Sequence, residues 1–331
     1  MKRVILCLLV VILFSSHDMF LKLEKYFLEP NTDYVIQLFN GTYELSDNVI
    51  TRDRMLDVSI VANGKRTQVD TTNWYDKDKT TFLKFTTGAS GTYVTGVSTK
   101  ARDFGQSAES FNGYLEHDGV LDMLELRKQN GTLGDSAVER YSKHVKTIFQ
   151  VGDQLTDDYK TELGYPIEFI LLENPYDLHS GHDLPVKLLF NQKPLPNQLV
   201  YVGSETSSHS HSHDGETHSH SHDDENGHTH DDLLQLRTDE QGMLKVPISG
   251  EGTWYLKTIH LVEKEEEGLT HESNWATVTF GVGGGHSHDH GHSHEHGDHS
   301  HDEGIPTYMF VIISLLVIVI LYLLFDKKKK E

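Results

Sequence analysis

Two segments of this 331-residue chain are rich in histidine, and each carries eight of these side chains. Most of the histidines are separated by one Ser, Asp, Glu or Gly residue, which gives a repeated H-x-H spacing. The first tract, residues 208–232, contains His209, His211, His213, His218, His220, His222, His228 and His230. The second tract, residues 286–301, contains His286, His288, His290, His292, His294, His296, His299 and His301.

The composition of the tracts predicts that they bind divalent transition metal ions. Neutral imidazole is the commonest side-chain ligand for such ions, and the interleaved carboxylates attract cations. The tracts contain almost no apolar residues, so they cannot build a core that would impose one coordination geometry. Affinity should therefore follow the general order of the divalent metals, with copper highest. The predicted ligand is nickel, cobalt, zinc or copper, without selection among them.

A better-defined metal site is predicted at His17, which becomes the first residue if the chain is cut after Ser16. Its α-amine and ring nitrogen could then chelate one ion together, and His260 or His271 could supply a further ligand. Two alternatives stay open. His260 shares an alternating strand face with Trp254 and fits a hydrogen-bonded core histidine equally well, and His271 fits an ordinary loop residue.

The two ends of the chain predict a membrane-anchored protein that lies outside the cytoplasm. Residues 1–16 resemble a secretory signal peptide, with Lys2 and Arg3 before an apolar run. Tyr308–Phe325 is an uncharged stretch of 18 residues, which as a helix would span roughly 27 Å and cross a bilayer core. We therefore predict a transmembrane helix at 305–326 and, from Lys327–Lys330, a cytoplasmic tail at 327–331.

The composition also excludes several classes of partner and site. The formal net charge is −21, which argues against nucleic acid and anionic lipid surfaces because both require a basic patch. The one cysteine, Cys7, lies in the predicted signal peptide, so no disulfide or thiolate metal site is expected in the mature chain. No sequence signature of a catalytic nucleophile, a zinc protease or a phosphate-binding loop is present, and we expect no enzyme activity.

The intervening sequence predicts a mainly β fold with two β-sandwich domains. Short segments alternate between apolar and polar residues and are separated by Gly, Asn and Asp. We place an N-terminal sandwich at 17–162, with a short helical insertion at 107–128. An immunoglobulin- or transthyretin-like sandwich follows at 163–282, with the first tract as a loop between two strands. A histidine-rich linker, 283–304, then leads to the predicted membrane helix.

Several phrases of the chain resemble a known family across residues 17–282. They are HDMFLKL (17–23), FNGYLEHDGV (111–120), ERYSKHVKTIFQVGD (139–153), LGYPIEFILLENPYDL (163–178), LPVKLLFNQKPLPNQLVYV (184–202), TDEQGMLKVPISGEGTWYLKTIH (238–260) and ESNWATVTF (272–280). Together they are similar to an uncharacterised periplasmic family labelled as a component of ABC-type cobalt transport systems. Relatives occur beside nickel and cobalt uptake transporters, so the resemblance implies metal handling outside the cytoplasm. The membrane anchor and the two tracts are not treated as features of that family.

These features together predict a membrane-anchored, extracytoplasmic protein that captures divalent metal ions and supports their transport. The expected partners are the metal ions, the membrane through the C-terminal helix, and a membrane metal transporter. Two other functions stay open. The chain could be a copper-dependent enzyme that uses an N-terminal histidine brace, or a metal buffer that provides resistance.

Overall fold

The structure is a computed structural model, and it describes residues 17–206 and 233–283. Both histidine tracts, the predicted signal peptide and the predicted membrane segment lie outside the described residues. The strands along the chain are β1 (Asp18–Lys22), β2 (Phe27–Leu28), β3 (Asp33–Gly41), β4 (Met55–Ala62), β5 (Lys65–Gln68), β6 (Trp74–Lys77), β7 (Thr80–Thr86), β8 (Gly91–Thr99), β9 (Arg102–Gln106), β10 (Ala137–Val151), β11 (Ile167–Leu171), β12 (Asp183–Phe190), β13 (Lys193–Pro194), β14 (Leu199–Thr206), β15 (Leu234–Arg237), β16 (Met243–Pro247), β17 (Gly252–Glu266) and β18 (Leu269–Val282). The helices are α1 (Ala108–His117) and α2 (Leu121–Asn130).

The strands form three sheets, and the prediction of a mainly β fold is confirmed. The N-terminal sheet has the strand order β1-β3-β7-β6. The middle sheet has ten strands, with the order β15-β14-β17-β18-β10-β8-β4-β5, and β2 and β9 also pair with β10. The C-terminal sheet has the order β11-β12-β13, and β16 pairs with β12. Within the described residues, no helix is long and apolar enough to span a bilayer.

The middle sheet is covered on both faces, which explains the burial pattern of its strands. All nine residues of β8 are buried, as are the last ten of β10. One face packs against the C-terminal sheet through residues such as Val186, Val202 and Val278. The other face packs against the N-terminal sheet through residues such as Leu38 and Phe149, and elsewhere against the helices. A strand buried on both faces loses the alternation that a half-buried strand shows.

Strands from both predicted domains share the middle sheet. β10 precedes residue 163 and β18 follows it, yet they pair in parallel from Glu139↔His271 to Ile148↔Phe280. All described residues also belong to one compact unit of the chain. Residue 163 therefore does not mark a break in the sheet, and each outer sheet packs on a different face of the same middle layer.

The helical insertion predicted at 107–128 is confirmed as two short helices. α1 begins after Ser107, whose hydroxyl accepts a hydrogen bond from the Ser110 amide at 3.2 Å, as an N-cap does. Gly119 separates the helices with a φ of 75°. A Cβ at this position would lie 2.3 Å from the Tyr201 hydroxyl oxygen. Both the positive φ and the close approach therefore favour glycine.

Candidate metal site

The first described strand, β1, is fixed to the middle sheet by hydroxyl groups of β18. The Thr277 hydroxyl donates to the carbonyl oxygen of Met19 at 2.7 Å, and the Thr279 hydroxyl donates to that of Leu21 at 2.5 Å. Met19 and Leu21 are both almost fully buried. β1 also pairs with β3 along its whole length. His17, which immediately precedes β1, is therefore held at a fixed place beside the middle sheet.

The His17 side chain contacts a carboxylate that the sequence did not indicate. Its Nδ1 atom lies 3.1 Å from Oδ2 of Asp47, and its Nε2 atom lies 3.4 Å from Nδ2 of Asn48. The segment after β3 brings both residues there, because the Asp47 and Asn48 amides donate to the Asn40 carbonyl oxygen. Asp47 lies 30 positions from His17 and belongs to no motif, so no sequence pattern predicted this contact.

The surroundings of His17 favour the neutral ring that binds metals. Burial lowers the pKa of His17, the Asp47 carboxylate raises it, the Lys143 ammonium lowers it again, and the net shift is downward. Lys143 donates a hydrogen bond to the main-chain oxygen of His17 and another to Oδ1 of Asn40. The positive charge therefore faces the main chain, and the carboxylate of Asp47 faces the ring. A cation at Nδ1 would meet that carboxylate.

The donor set at His17 depends on where the chain begins. Within the described residues, no group of three or more His, Cys, Asp or Glu side chains is arranged to hold a metal ion. His17 and Asp47 supply one nitrogen and one oxygen. Cleavage after Ser16 would add the α-amine of His17, which forms a chelate with its own ring. Two nitrogens and one carboxylate oxygen suit nickel, copper or zinc.

A network of buried charges lies directly beside His17. The Lys257 ammonium contacts the Asp18 carboxylate at 2.5 Å, and Asp118 interacts electrostatically with both. Oδ1 of Asp118 accepts a hydrogen bond from Nδ1 of His117 at 3.1 Å. Within the described residues, its Oδ2 atom has no hydrogen-bond partner. Burial raises the pKa of Asp118 to about 6. The network joins β1, β17 and the end of α1.

A second part of the network lies deeper, between the middle sheet and α1. Glu139 accepts hydrogen bonds from the Tyr114 hydroxyl at 3.2 Å and from the Ser273 hydroxyl. Burial raises the pKa of Glu139 to about 7 and lowers that of Lys143 to about 8. Both shifts have the sign that loss of hydration gives to a buried charged group.

His260, the first additional ligand predicted for the His17 site, lies on the opposite face of the middle sheet. Side chains alternate along a strand, and Lys257 of β17 reaches β1, so His260, three positions later, points the other way. Its Nδ1 atom lies 2.9 Å from Oε1 of Gln198, and its ring lies 4.5 Å from that of Phe190. His260 has the hydrogen-bonded position of the alternative interpretation, and the structure does not bring it to His17.

His271, the other predicted ligand, lies on the same face as His17 but farther along β18. Lys143 contacts His17 and also stands over the Trp275 ring, so Trp275 marks the position of His17 along β18. His271 precedes Trp275 by four residues, which is roughly 13 Å along a strand. Its ring packs 4.6 Å from Phe111, and its Nδ1 atom lies 2.7 Å from the Thr270 hydroxyl. His271 is thus a buried strand residue covered by α1. The structure does not bring it to His17.

The histidines of the two tracts lie outside the described residues, so their role as metal ligands stays a prediction. The strands on either side of the first tract are described. β14 ends at Thr206, β15 begins at Leu234, and the two strands pair antiparallel from Leu199↔Arg237 to Val202↔Leu234. The two strands that flank the first tract therefore pair with each other as the strands of a hairpin do.

Comparisons with solved structures give only remote likenesses. A Salmonella α-2-macroglobulin is 10% identical over 81% of this chain and 15% of its own length, with a TM-score of 0.21. The Yersinia pseudotuberculosis adhesin InvE is 14% identical over 79% of this chain and 58% of its own length, with a TM-score of 0.20. This chain thus spans less than two thirds of either protein. No curated protein sequence matches it significantly.

One family model matches most of the chain. It covers residues 14–262 and is described as a domain of unknown function, DUF4198. The match includes His17, Asp47, the buried charge network as far as Lys257, and His260. The second tract and the C-terminal residues lie beyond it. Since the matched region is well over half of the sequence, the chain belongs to the DUF4198 family.

Proposed function

We propose that this protein captures divalent transition metal ions outside the cytoplasm and holds them at the membrane for transport. The observation that carries the proposal is the presence of two tracts with eight histidines each, at H-x-H spacing. Such spacing lets two or three imidazoles close on one ion. The net charge of −21 further favours the accumulation of cations over anions.

The fold supports a shared task for the two tracts, because both begin at the same end of the middle sheet. Thr206, the last described residue before the first tract, pairs with Gly252. Gly252 also pairs with Val282, close to the start of the second tract. Neighbouring strands lie about 4.8 Å apart, so the two starting points are separated by roughly 10 Å. The described residues that lead into the two tracts therefore lie close together.

The contacts of His17 support a tighter site in the folded part of the protein. The ring is held by Asp47 and Asn48, and burial lowers its pKa, which favours the neutral form that binds metals. Removal of the predicted signal peptide would complete a chelate with the α-amine. Such a site would have a fixed geometry, unlike the tracts, and it could select among metals that the tracts do not distinguish.

The cellular context of the proposal comes from the sequence. The predicted signal peptide at 1–16 and membrane span at 305–326 would place the described residues outside the membrane. The resemblance to a family labelled with ABC-type cobalt transport supports a role in nickel or cobalt uptake. The immunoglobulin- or transthyretin-like sandwich at 163–282 stays a prediction.

Metal binding by the full-length protein in detergent tests the proposal. We would compare the natural chain with a tract-serine variant, in which all sixteen tract histidines are replaced by serine. Equilibrium dialysis against Ni²⁺, Co²⁺, Zn²⁺ and Cu²⁺, followed by elemental analysis, gives the ions bound per chain. We expect several ions on the natural chain and at most a few on the variant. Equal binding by the two chains would refute the proposed capture role of the tracts.

A further inference from the structure

Two histidines outside the tracts share one exposed turn. His179 and His182 lie between the buried residues Leu178 and Leu184, at the start of β12. The His182 amide donates to the His179 carbonyl oxygen at 3.2 Å, which closes a four-residue turn. The two rings are exposed, and their centroids lie 6.1 Å apart with an interplanar angle of 76°.

This turn is fixed to the loop between β16 and β17. The Gly181 amide donates to the Ile248 carbonyl oxygen at 2.7 Å, and the Ile248 amide donates to the His182 carbonyl oxygen at 2.9 Å. The Ser180 hydroxyl donates to the Ser249 carbonyl oxygen at 2.9 Å. Ile248 itself is buried. Two hydrogen bonds to the buried residue Ile248 and one to its neighbour Ser249 therefore hold the backbone of both histidines in place.

The separation of the rings suits the coordination of one metal ion. An ion about 2 Å from one nitrogen of each ring places the two ring centroids roughly 4.5 to 6.4 Å apart, depending on the angle at the metal. The observed 6.1 Å lies within this range. Within the described part of the chain, neither ring is engaged in a side-chain hydrogen bond that would compete for its nitrogens. Small rotations about the side-chain bonds would adjust the angle.

We propose that His179 and His182 form a two-imidazole site for a divalent transition metal ion. The backbone is already ordered, so binding requires only that two exposed side chains settle into one rotamer each. The remaining coordination positions would be filled by water or by a ligand that exchanges with it. Such an open site binds reversibly, and it differs from a closed structural site in leaving positions free.

The turn lies at the end of the fold from which both tracts emerge. Ser249, its hydrogen-bond partner, precedes Gly252 by three residues, which is at most roughly 11 Å of chain. Gly252 pairs with Thr206 and Val282, the strand residues nearest to the two tracts. A Cβ on Gly283 would touch the Glu251 side chain of the same loop. The two-imidazole site is thus close to the described residues that lead into both tracts, and an exchange of ions with the tracts is part of the proposed function.

The proposal that the turn binds a metal ion does not depend on the proposed function. Only the exchange of ions between the turn and the tracts rests on that function. The site requires only the two histidines and the turn that holds them. If the tracts bind no metal, the turn should still do so. The experiment therefore measures the turn in the absence of tract histidines.

The full-length tract-serine variant, probed with Cu²⁺, tests the site. His179→Asn, His182→Asn and the double substitution are made in this background, with Asp177→Asn as a control that alters another exposed residue of the same segment. Copper titration gives the number and affinity of the sites, and electron paramagnetic resonance of bound Cu²⁺ reports coordinated nitrogens. Circular dichroism and thermal melting verify that each variant is folded.

If the two imidazoles chelate one ion, either single substitution should lower the affinity for copper about as much as the double substitution does. The second imidazole acts at high effective concentration, so its loss should weaken binding on the order of 10²-fold or more. The nitrogen signal of this site should disappear in both single variants and persist in Asp177→Asn. Single variants that bind copper like the Asp177→Asn control would overturn the proposal. A double variant whose loss of binding free energy equals the sum of two equal losses in the single variants would also overturn it.

Discussion

The Lys257 ammonium lies 2.5 Å from the Asp18 carboxylate, although 239 positions separate the two residues in the sequence. Both residues are only 8% exposed. The contact joins the first residue of β1 to the long strand β17, and it lies next to His17. A hydrogen-bonded ion pair therefore helps to fix the position of the candidate metal site relative to the middle sheet.

Removal of one partner of this pair should strongly destabilise the protein. We expect Lys257→Met to lower the free energy of unfolding by about 3–5 kcal/mol, because it leaves the buried Asp18 carboxylate without its cation. The double variant Asp18→Asn/Lys257→Met should recover part of this loss. Urea unfolding measures all three proteins. Asp76→Asn, which breaks the exposed pair of Asp76 with Arg52, is the control and should cost at most about 1 kcal/mol.

Burial of Glu139 should make the stability fall as the pH rises. Its pKa is raised to about 7 by burial, so between about pH 4.5 and 7 the folded state binds more protons than the unfolded state. Stability from this group is complete at low pH and is lost as the pH rises through the folded pKa, by at most roughly 3 kcal/mol.

The variant Glu139→Gln isolates this effect, because glutamine cannot ionise. We expect the stability of the natural protein, relative to the variant, to decrease between pH 5 and pH 8. Denaturant unfolding at several pH values gives this difference, from which the contributions of all other groups largely cancel. A constant difference across the range would show that Glu139 titrates normally in the folded state.

Much of the fold could be predicted from the sequence because its outer strands are half-buried. Tyr34, Ile36 and Leu38 recur at a spacing of two residues and lie in β3, as expected of a strand. The sharing of one middle sheet could not be predicted. β10 and β18 pair in parallel across more than a hundred residues of sequence, and neither strand carries a local signal that specifies its partner.

The candidate site could be predicted only in part, for the same physical reason. His17 was identifiable from its position after the predicted signal peptide. Asp47 and Lys143 approach it through tertiary packing, and single exposed-looking charges in a sequence do not reveal such contacts. The sequence makes His260 a candidate ligand of this site, but strand alternation predicts that it shares a face with Trp254. The structure places His260 on that face, away from His17.

The folded site at His17 should depend on its carboxylate neighbour and on the free α-amine. In the tract-serine variant, we expect His17→Ala to abolish one tight site and Asp47→Asn to weaken it by about tenfold or more, because a charged oxygen ligand or its attraction is lost. Isothermal titration with Ni²⁺ or Cu²⁺ measures both. Glu44→Gln, an exposed acid on the same segment, is the matched control. N-terminal sequencing that finds a first residue other than His17 would exclude the chelate with the amine.

Mild acid should release the ions held by the tracts. Only neutral imidazole binds a metal, and its reference pKa is about 6.5, so protons compete with the ion as the pH falls. We expect most tract-bound Ni²⁺ or Zn²⁺ to dissociate between about pH 7 and pH 5. Dialysis at the two pH values, with the tract-serine variant as a baseline, measures the loss. Unchanged stoichiometry at pH 5 would mean that carboxylates hold the ions.

The two tracts should contribute unequally to metal accumulation by cells, although they leave the fold at one end. The second tract ends at His301, seven residues before the uncharged stretch of the predicted membrane helix begins at Tyr308. Its last ligands therefore stay within at most roughly 25 Å of the membrane, where the mouth of a transporter would lie. The first tract has no such tether, and in the proposed function it would deliver ions through the shared end of the middle sheet.

Replacement of the tracts by Gly/Ser sequences of equal length tests this order. At limiting metal, we expect replacement of residues 286–301 to lower accumulation more than replacement of residues 208–232, and the double replacement to lower it most. Survival at excess Ni²⁺, Zn²⁺ or Cu²⁺ is measured in the same strains, because a buffering protein would leave uptake unchanged and sensitise the cells instead. Protein levels must match between the strains. Normal accumulation in the double-replacement strain would refute delivery, and sensitivity to excess metal in that strain would then favour buffering.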